Sequence, residues 1–129
     1  MEEDNKSVSL SEPQLALMRI LWQRSEATVS DVVEAMREQR SLAHTTIATM
    51  LSRLEKRGLI SARKEGRLFF YSANVSESDI QKSMVSELLS SLFLGNARAL
   101  LNHLVREDEI KPEDLEQMRT SLKDRTQSK

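Results

Sequence analysis

The segment from residue 44 to residue 72 constrains the fold more than any other part of the chain. Its first half carries apolar residues at helical spacing: Ile47, Met50, Leu51 and Leu54. This spacing predicts a helix over 44–57 with one buried face. Gly58 follows as the expected helix C-cap, because glycine adopts the left-handed conformation without steric cost. Two apolar-bearing runs, 59–64 and 67–72, then flank the dipeptide Glu65-Gly66, and this pattern predicts a β-hairpin.

Two more helices are predicted before this segment, over residues 12–24 and 30–39. Ser11 and Gln14 have the spacing of a capping box, and Ser30 with Asp31 is expected to cap the second helix. Residues 27–29 form a short extended link. The order is helix, short strand, helix, helix, strand, strand, which is that of a winged helix-turn-helix. In that fold the third helix reads DNA and the hairpin is the wing.

From residue 76 onward the chain is predicted to be helical throughout. The pattern gives a helix over about 77–93, a second around 97–104 and a third that starts near Pro112. Three short helices bury too little surface to be stable alone, so we expect a homodimer. The predicted fold is therefore mainly α, with a winged helix-turn-helix domain (1–75), including a small antiparallel β wing, and a three-helix dimerisation domain (76–129).

The distribution of charge points to double-stranded DNA as a partner. Between Arg37 and Arg67 there are eight basic and three acidic residues, a local charge of +5 in a chain whose net charge is −1. Clustered cations neutralise phosphates, and short hydroxyl side chains let a helix approach the major groove closely. The predicted DNA-binding residues lie on the third helix and the wing: His44, Thr45, Thr46, Thr49, Arg53, Lys64 and Arg67.

Each of these residues also has an ordinary structural interpretation. The threonines are common on solvated helix faces, and Arg53 has acidic candidates for an ion pair in Glu55 and the first helix. Lys64 and Arg67 have the character of charges that protect an exposed hairpin edge from aggregation. An alternative function is therefore a winged-helix module that binds protein rather than DNA.

Catalysis, metal binding and membrane insertion lack a basis in the sequence. There is no cysteine, and no metalloprotease, nucleophile-elbow, P-loop or dinucleotide-binding motif occurs. We therefore expect neither an enzyme nor a bound cofactor or metal. The acidic start does not resemble a signal peptide, and no apolar run reaches the roughly 20 residues of a membrane span, so a cytoplasmic protein is expected. Residues 1–8 are predicted to be a disordered tail.

The segment TTIATMLSRLEKRGLISARKEGRLFFYSANV resembles the signature region of the BlaI/MecI penicillinase-repressor family. The segments SEPQLALMRILW and EDEIKPEDLEQMR also match, so that the resemblance covers about residues 9–123. It implies a dimeric transcriptional repressor on a palindromic operator.

In one branch of the family, a membrane sensor-protease pathway leads to cleavage of the dimerisation domain. The corresponding segment here is Asn102, His103 and Leu104, where cleaved members tend to have Asn-Phe. The copper-responsive branch has a C-terminal cysteine cluster, which this chain lacks.

Overall fold

A computed structural model describes residues 8–127 and confirms the predicted fold class. Within this range there are six helices and one antiparallel pair of strands. Their order is α1 (Glu12–Arg24), α2 (Val29–Met36), α3 (His44–Lys56), β1 (Ile60–Glu65), β2 (Leu68–Ala73), α4 (Glu77–Phe93), α5 (Ala97–Arg106) and α6 (Pro112–Gln127). The predicted disordered tail lies outside the described residues except for Val8.

Helix α1 begins as the sequence predicts. The backbone N–H of Gln14 donates to Ser11 Oγ at 3.3 Å, and the backbone N–H of Ser11 donates to Gln14 Oε1 at 2.9 Å. These reciprocal bonds form a capping box, with Pro13 in the first turn where no N–H is required.

Helix α2 begins earlier than predicted, and the expected cap at Ser30 is wrong. Thr28 is the cap: its hydroxyl accepts from the N–H of Asp31 at 3.1 Å, and its own N–H donates to the Asp31 carboxylate at 3.0 Å. This bond from the Thr28 backbone lowers the pKa of Asp31. Thr28 is the cap because the carboxylate of Asp31, three residues further on, completes a capping box with it.

Helix α3 ends in a Schellman motif at Gly58. The N–H of Leu59 donates to the carbonyl of Leu54 at 3.0 Å, and that of Gly58 to Glu55 at 2.9 Å. Gly58 has φ +81°, the left-handed conformation that this motif requires. The contact ends the helix and directs the chain into β1.

The wing, which we define as the hairpin of β1 and β2, pairs Ile60 with Ala73 at its base and Glu65 with Leu68 at its tip. The loop is therefore Gly66-Arg67, one residue later than the predicted Glu65-Gly66. Gly66, at φ +65°, occupies the first loop position, where a positive φ is required. The predicted extended link is attached to β2, because Ala27 and Tyr71 exchange two backbone hydrogen bonds of 3.0 and 2.8 Å.

The chain divides into two compact units, one ending at Val85 and the other beginning at Ser86. The first contains all of the fully buried side chains of the described residues, mainly from α1, α2 and α3. The start of α4 belongs to this unit, since Ile80 is buried and Ser83 Oγ accepts from the N–H of Val8 at 2.8 Å. Trp22 packs against the same core and donates its indole N–H to the carbonyl of Val75 at 2.8 Å.

The second unit has no fully buried side chain among its described residues. Its large apolar side chains are partly or mostly exposed, with Leu92 at 68% and Leu122 at 66% of full exposure. Exposed apolar surface of this extent is unusual on monomeric soluble proteins. The functional division at residues 75 and 76 remains a prediction.

The capping box of α2 generates a stability prediction. Thr28→Ala removes the acceptor for the Asp31 N–H, so the free energy of unfolding should fall by about 1 kcal/mol. Ser30→Ala is the matched control and should change the free energy of unfolding by a few tenths of a kcal/mol at most, because Ser30 does not cap the helix. Urea unfolding at one fixed protein concentration compares the two. An equal loss from both variants would contradict the assignment of Thr28.

Candidate nucleic-acid interface

Helix α3 presents one apolar and one polar face. Ile47, Leu51 and Leu54 have no exposed surface at all, and they pack in the core of the first unit. This burial leaves no freedom to rotate the helix about its axis. The opposite face, which we call the α3 outer face, is exposed and consists of His44, Thr45, Thr46, Thr49, Ser52, Arg53 and Lys56.

The α3 outer face is open at its N-terminal end as well. The cap residue is Ala43, which makes no side-chain hydrogen bond to the first turn, in contrast to the caps of α1 and α2. Thr45 and Thr46 occupy that first turn, and His44 is its first residue. Short hydroxyl side chains and uncapped backbone N–H groups are both suited to phosphate contacts.

Arg53 lies near the C-terminal end of the same face. Within residues 8–127 it makes no ion pair, although Glu55 and the acidic residues of α1 offered candidates at the sequence level. Lys56 is likewise unpaired in the described part of the chain. The guanidinium of Arg53 is therefore available to an external anion.

The wing carries two further cations near its tip. Lys64 lies opposite Phe69 in the register, and its Nζ is 5.8 Å from the centre of that ring. Arg67 is the second loop residue and is exposed. Neither has a carboxylate partner among the residues that the structure describes. The charges of both side chains are therefore uncompensated by carboxylates within the described part of the chain.

The local charge of +5 is not spread evenly over the surface. Three of its eight cations are paired with carboxylates: Arg37 with Glu34 at 3.1 Å, Arg40 with Glu12 at 3.2 Å, and Arg63 with Glu26 and Glu65, each at 2.9 Å. Arg57 donates to the carbonyl of Ser9 at 3.3 Å. The cations without an acidic partner are thus concentrated on α3, its C-terminal turn and the tip of the wing.

Sequence reasoning missed Glu26 altogether. Arg63 donates to both of its carboxylate oxygens, from Nε at 3.0 Å and from Nη2 at 2.9 Å. The bond from Arg63 lowers the pKa of Glu26, and Arg63 has its own pKa raised by the same contact. The two residues are far apart along the chain, so no local pattern could have paired them.

The predicted cleavage segment, Asn102 to Leu104, lies inside helix α5. Asn102 and His103 are exposed and Leu104 is partly buried. The His103 ring is 6.1 Å from that of Phe93, centre to centre. A protease needs extended backbone, so cutting here requires local unfolding of α5.

No helix within residues 8–127 combines the length and apolar character of a membrane span. In that same range, no three His, Cys, Asp or Glu side chains come together in an arrangement able to hold a metal ion.

Comparison with known proteins gives consistent results across the chain. The model of the penicillinase repressor family matches residues 10–124. The methicillin resistance regulatory protein MecI of Mammaliicoccus sciuri is 28% identical over 119 residues, which are 92% of this chain and 97% of that protein. The penicillinase repressor of Bacillus licheniformis is 26% identical over 88% of each chain.

A solved structure resembles the N-terminal part. The solution structure of the DNA binding domain of the repressor BlaI superposes with a TM-score of 0.50 at 35% identity, and it covers 55% of this chain and 87% of that one. Since the family model extends over nearly the whole length, the chain belongs to the penicillinase repressor family, whose members are transcriptional repressors and not enzymes.

Proposed function

We propose that this chain is a sequence-specific DNA-binding repressor that acts as a homodimer on a palindromic operator. Two observations together carry the proposal: the α3 outer face is exposed, and the cations at the wing tip have no acidic partner in the described structure. A helix of this kind in the major groove reads base edges, while the wing holds the phosphate backbone. The similarity to the BlaI DNA binding domain supports the same assignment.

Each predicted site residue has a role in this proposal. Thr46 and Thr49 lie one turn apart on the α3 outer face, where they contact bases. His44, Thr45 and Arg53 lie at the two ends of that face and hold the flanking phosphates. Lys64 and Arg67 contact the backbone from the wing. Residues 1–75 thus constitute the DNA-reading domain.

Residues 76–129 are proposed to form the dimerisation domain. Its exposed apolar side chains would be covered by those of a second copy in an intertwined, mainly hydrophobic interface. Joining two DNA-reading modules raises apparent affinity by about 10²–10⁴ through effective concentration. Proteolysis between Asn102 and Leu104 would cut α5, destroy this interface and release the operator, as a sensor-protease pathway requires.

The wing cations generate the first functional prediction. Lys64→Ala with Arg67→Ala should weaken binding to every duplex and reduce the slope of log K against log salt by about 1 for each lost phosphate contact. The control is Arg37→Ala with Arg40→Ala, which removes the same formal charge from residues already paired with carboxylates. Fluorescence anisotropy over a salt series gives both quantities. A module that binds protein instead of DNA would show no salt-dependent affinity in the wild type.

The α3 outer face generates a prediction about specificity. Thr46→Ala and Thr49→Ala should each cost about 1–3 kcal/mol on a duplex selected by the wild-type protein from random sequences. Binding to unselected duplex should be almost unchanged, because non-specific affinity comes from the phosphate contacts. If both duplexes lose affinity equally, the two threonines contact only phosphate.

The second unit generates a prediction about assembly. Truncation after Asn102 should give a monomer by sedimentation equilibrium and lower operator affinity by about 10²–10⁴. Leu92→Asp should have the same effect, since it places a charge on a 68% exposed leucine of the apolar surface. Ser91→Asp adds the same charge to a neighbouring polar position and is the control. A truncated chain that remains dimeric and binds the operator with full affinity would contradict the proposed dimer interface.

A further inference from the structure

Arg63 is held on one face of the wing by two carboxylates and an aromatic ring. Its Nε and Nη2 bond to the two carboxylate oxygens of Glu26 at 3.0 and 2.9 Å, and its Nη1 bonds to Glu65 at 2.9 Å. Its guanidinium carbon lies 4.8 Å from the centre of the Phe70 ring. Bidentate arginine–carboxylate pairs are the strong and geometrically specific kind.

These contacts connect three adjacent chain segments. Arg63 is on β1 and faces Phe70 on β2, while Ala27, next to Glu26, is bonded to Tyr71 of β2. The arginine side chain therefore crosses over β2 to reach the link between α1 and α2. This second attachment, beside the backbone bridge at Tyr71, fixes the hairpin with respect to the helices of the first unit.

The alternation of strand residues separates Arg63 from the wing cations without partners. Lys64, the next residue of β1, projects to the opposite face of the hairpin, where it lies over Phe69. Arg67 is at the tip. Arg63 is thus the one of these three whose charge is already compensated within the described chain, even though its side chain remains half exposed.

We propose that Glu26 and Arg63 are positioning residues that set the orientation of the wing and thereby the places of Lys64 and Arg67 on the DNA backbone. Arg63 does not contact phosphate itself. The inference rests on the DNA-binding function proposed above. A hairpin that is free to swing about its base loses conformational freedom on binding, whereas a hairpin already held in place avoids that entropic cost.

The sign of the effect at Glu26 distinguishes this role from simple electrostatics. A carboxylate close to a DNA-binding surface repels phosphates, so its neutralisation should tighten binding if charge alone matters. If Glu26 holds the wing, the same change should weaken binding. Glu26→Gln retains the size of this exposed side chain and is not expected to impair folding.

The experiment uses the full chain and a duplex selected by the wild-type protein, with affinity measured over a salt series. Glu26→Gln and Arg63→Gln should each reduce affinity about tenfold and leave the salt slope unchanged. The reversed pair Glu26→Arg with Arg63→Glu should recover most of the loss, because it restores the contact with the charges exchanged. Glu34→Gln, which breaks the ion pair between Glu34 of α2 and Arg37 just after that helix, is the control for an equal change of charge and should have little effect.

Three results would overturn the proposal. The first is binding by Glu26→Gln that is unchanged or tighter. The second is a salt slope reduced by about 1 in Arg63→Gln with no recovery in the reversed pair, which would identify Arg63 as a phosphate contact. The third is an equal loss in Glu34→Gln. Absence of duplex binding by the wild type would instead reject the proposed function, so the two failures are separable.

Discussion

The arrangement of the first unit depends on the burial of one side of α3. Ile47, Leu51 and Leu54 are completely enclosed, and removing any of them from the core would cost several kcal/mol through lost contacts and cavity formation. This constraint fixes the rotation of the helix about its axis. Since the threonines lie on the opposite side, their exposure follows from the same packing. The exposure of the proposed DNA-reading face is thus maintained by apolar side chains on the opposite side of the helix.

The C-terminal end of α3 sets the position of the wing relative to the helix. The Schellman motif at Gly58 terminates the helix and places Leu59 in the core, so β1 must leave in a defined direction. Asn74 then closes the base of the hairpin: its N–H donates to the carbonyl of Leu59 at 2.8 Å. On the inner side, Tyr71 is partly buried and near Glu55 of α3, and its burial, followed by that carboxylate, raises the pKa of the phenol. The wing is therefore packed against the helix and not simply appended to it.

Ion pairing selects which cations remain available. A count of basic residues treats Arg37, Arg40 and Arg63 like Lys64 and Arg67, but three-dimensional structure supplies carboxylates to the former group alone within the described residues. Single exposed pairs such as those of Arg37 and Arg40 contribute little to stability, whereas the bidentate contact of Arg63 is of the stronger kind. Their effect on function is to concentrate uncompensated positive charge at α3 and at the tip of the wing. In the second unit leucines such as Leu92 and Leu122 are exposed, and none of its described side chains is fully buried.

The sequence alone determined the elements and their order, because helix periodicity, capping boxes and glycine C-caps involve residues within a few positions of one another. It therefore predicted the winged helix-turn-helix class, the bounds of α1, the end of α3 near Gly58 and the polar character of the α3 outer face. The DNA contacts assigned to that face, and the cleavage segment at Asn102–Leu104, stay predictions. Tertiary structure decided what depends on distant partners. The loop at Gly66-Arg67 differs by one residue from the local prediction because the strand register sets it, whereas the cap at Thr28 is a local signal, formed with Asp31 three residues ahead. The contact between Glu26 and Arg63 joins residues 37 positions apart. Such pairing arises only when the backbone bridge between Ala27 and Tyr71 brings the link beside the hairpin, and no periodicity in the sequence encodes it.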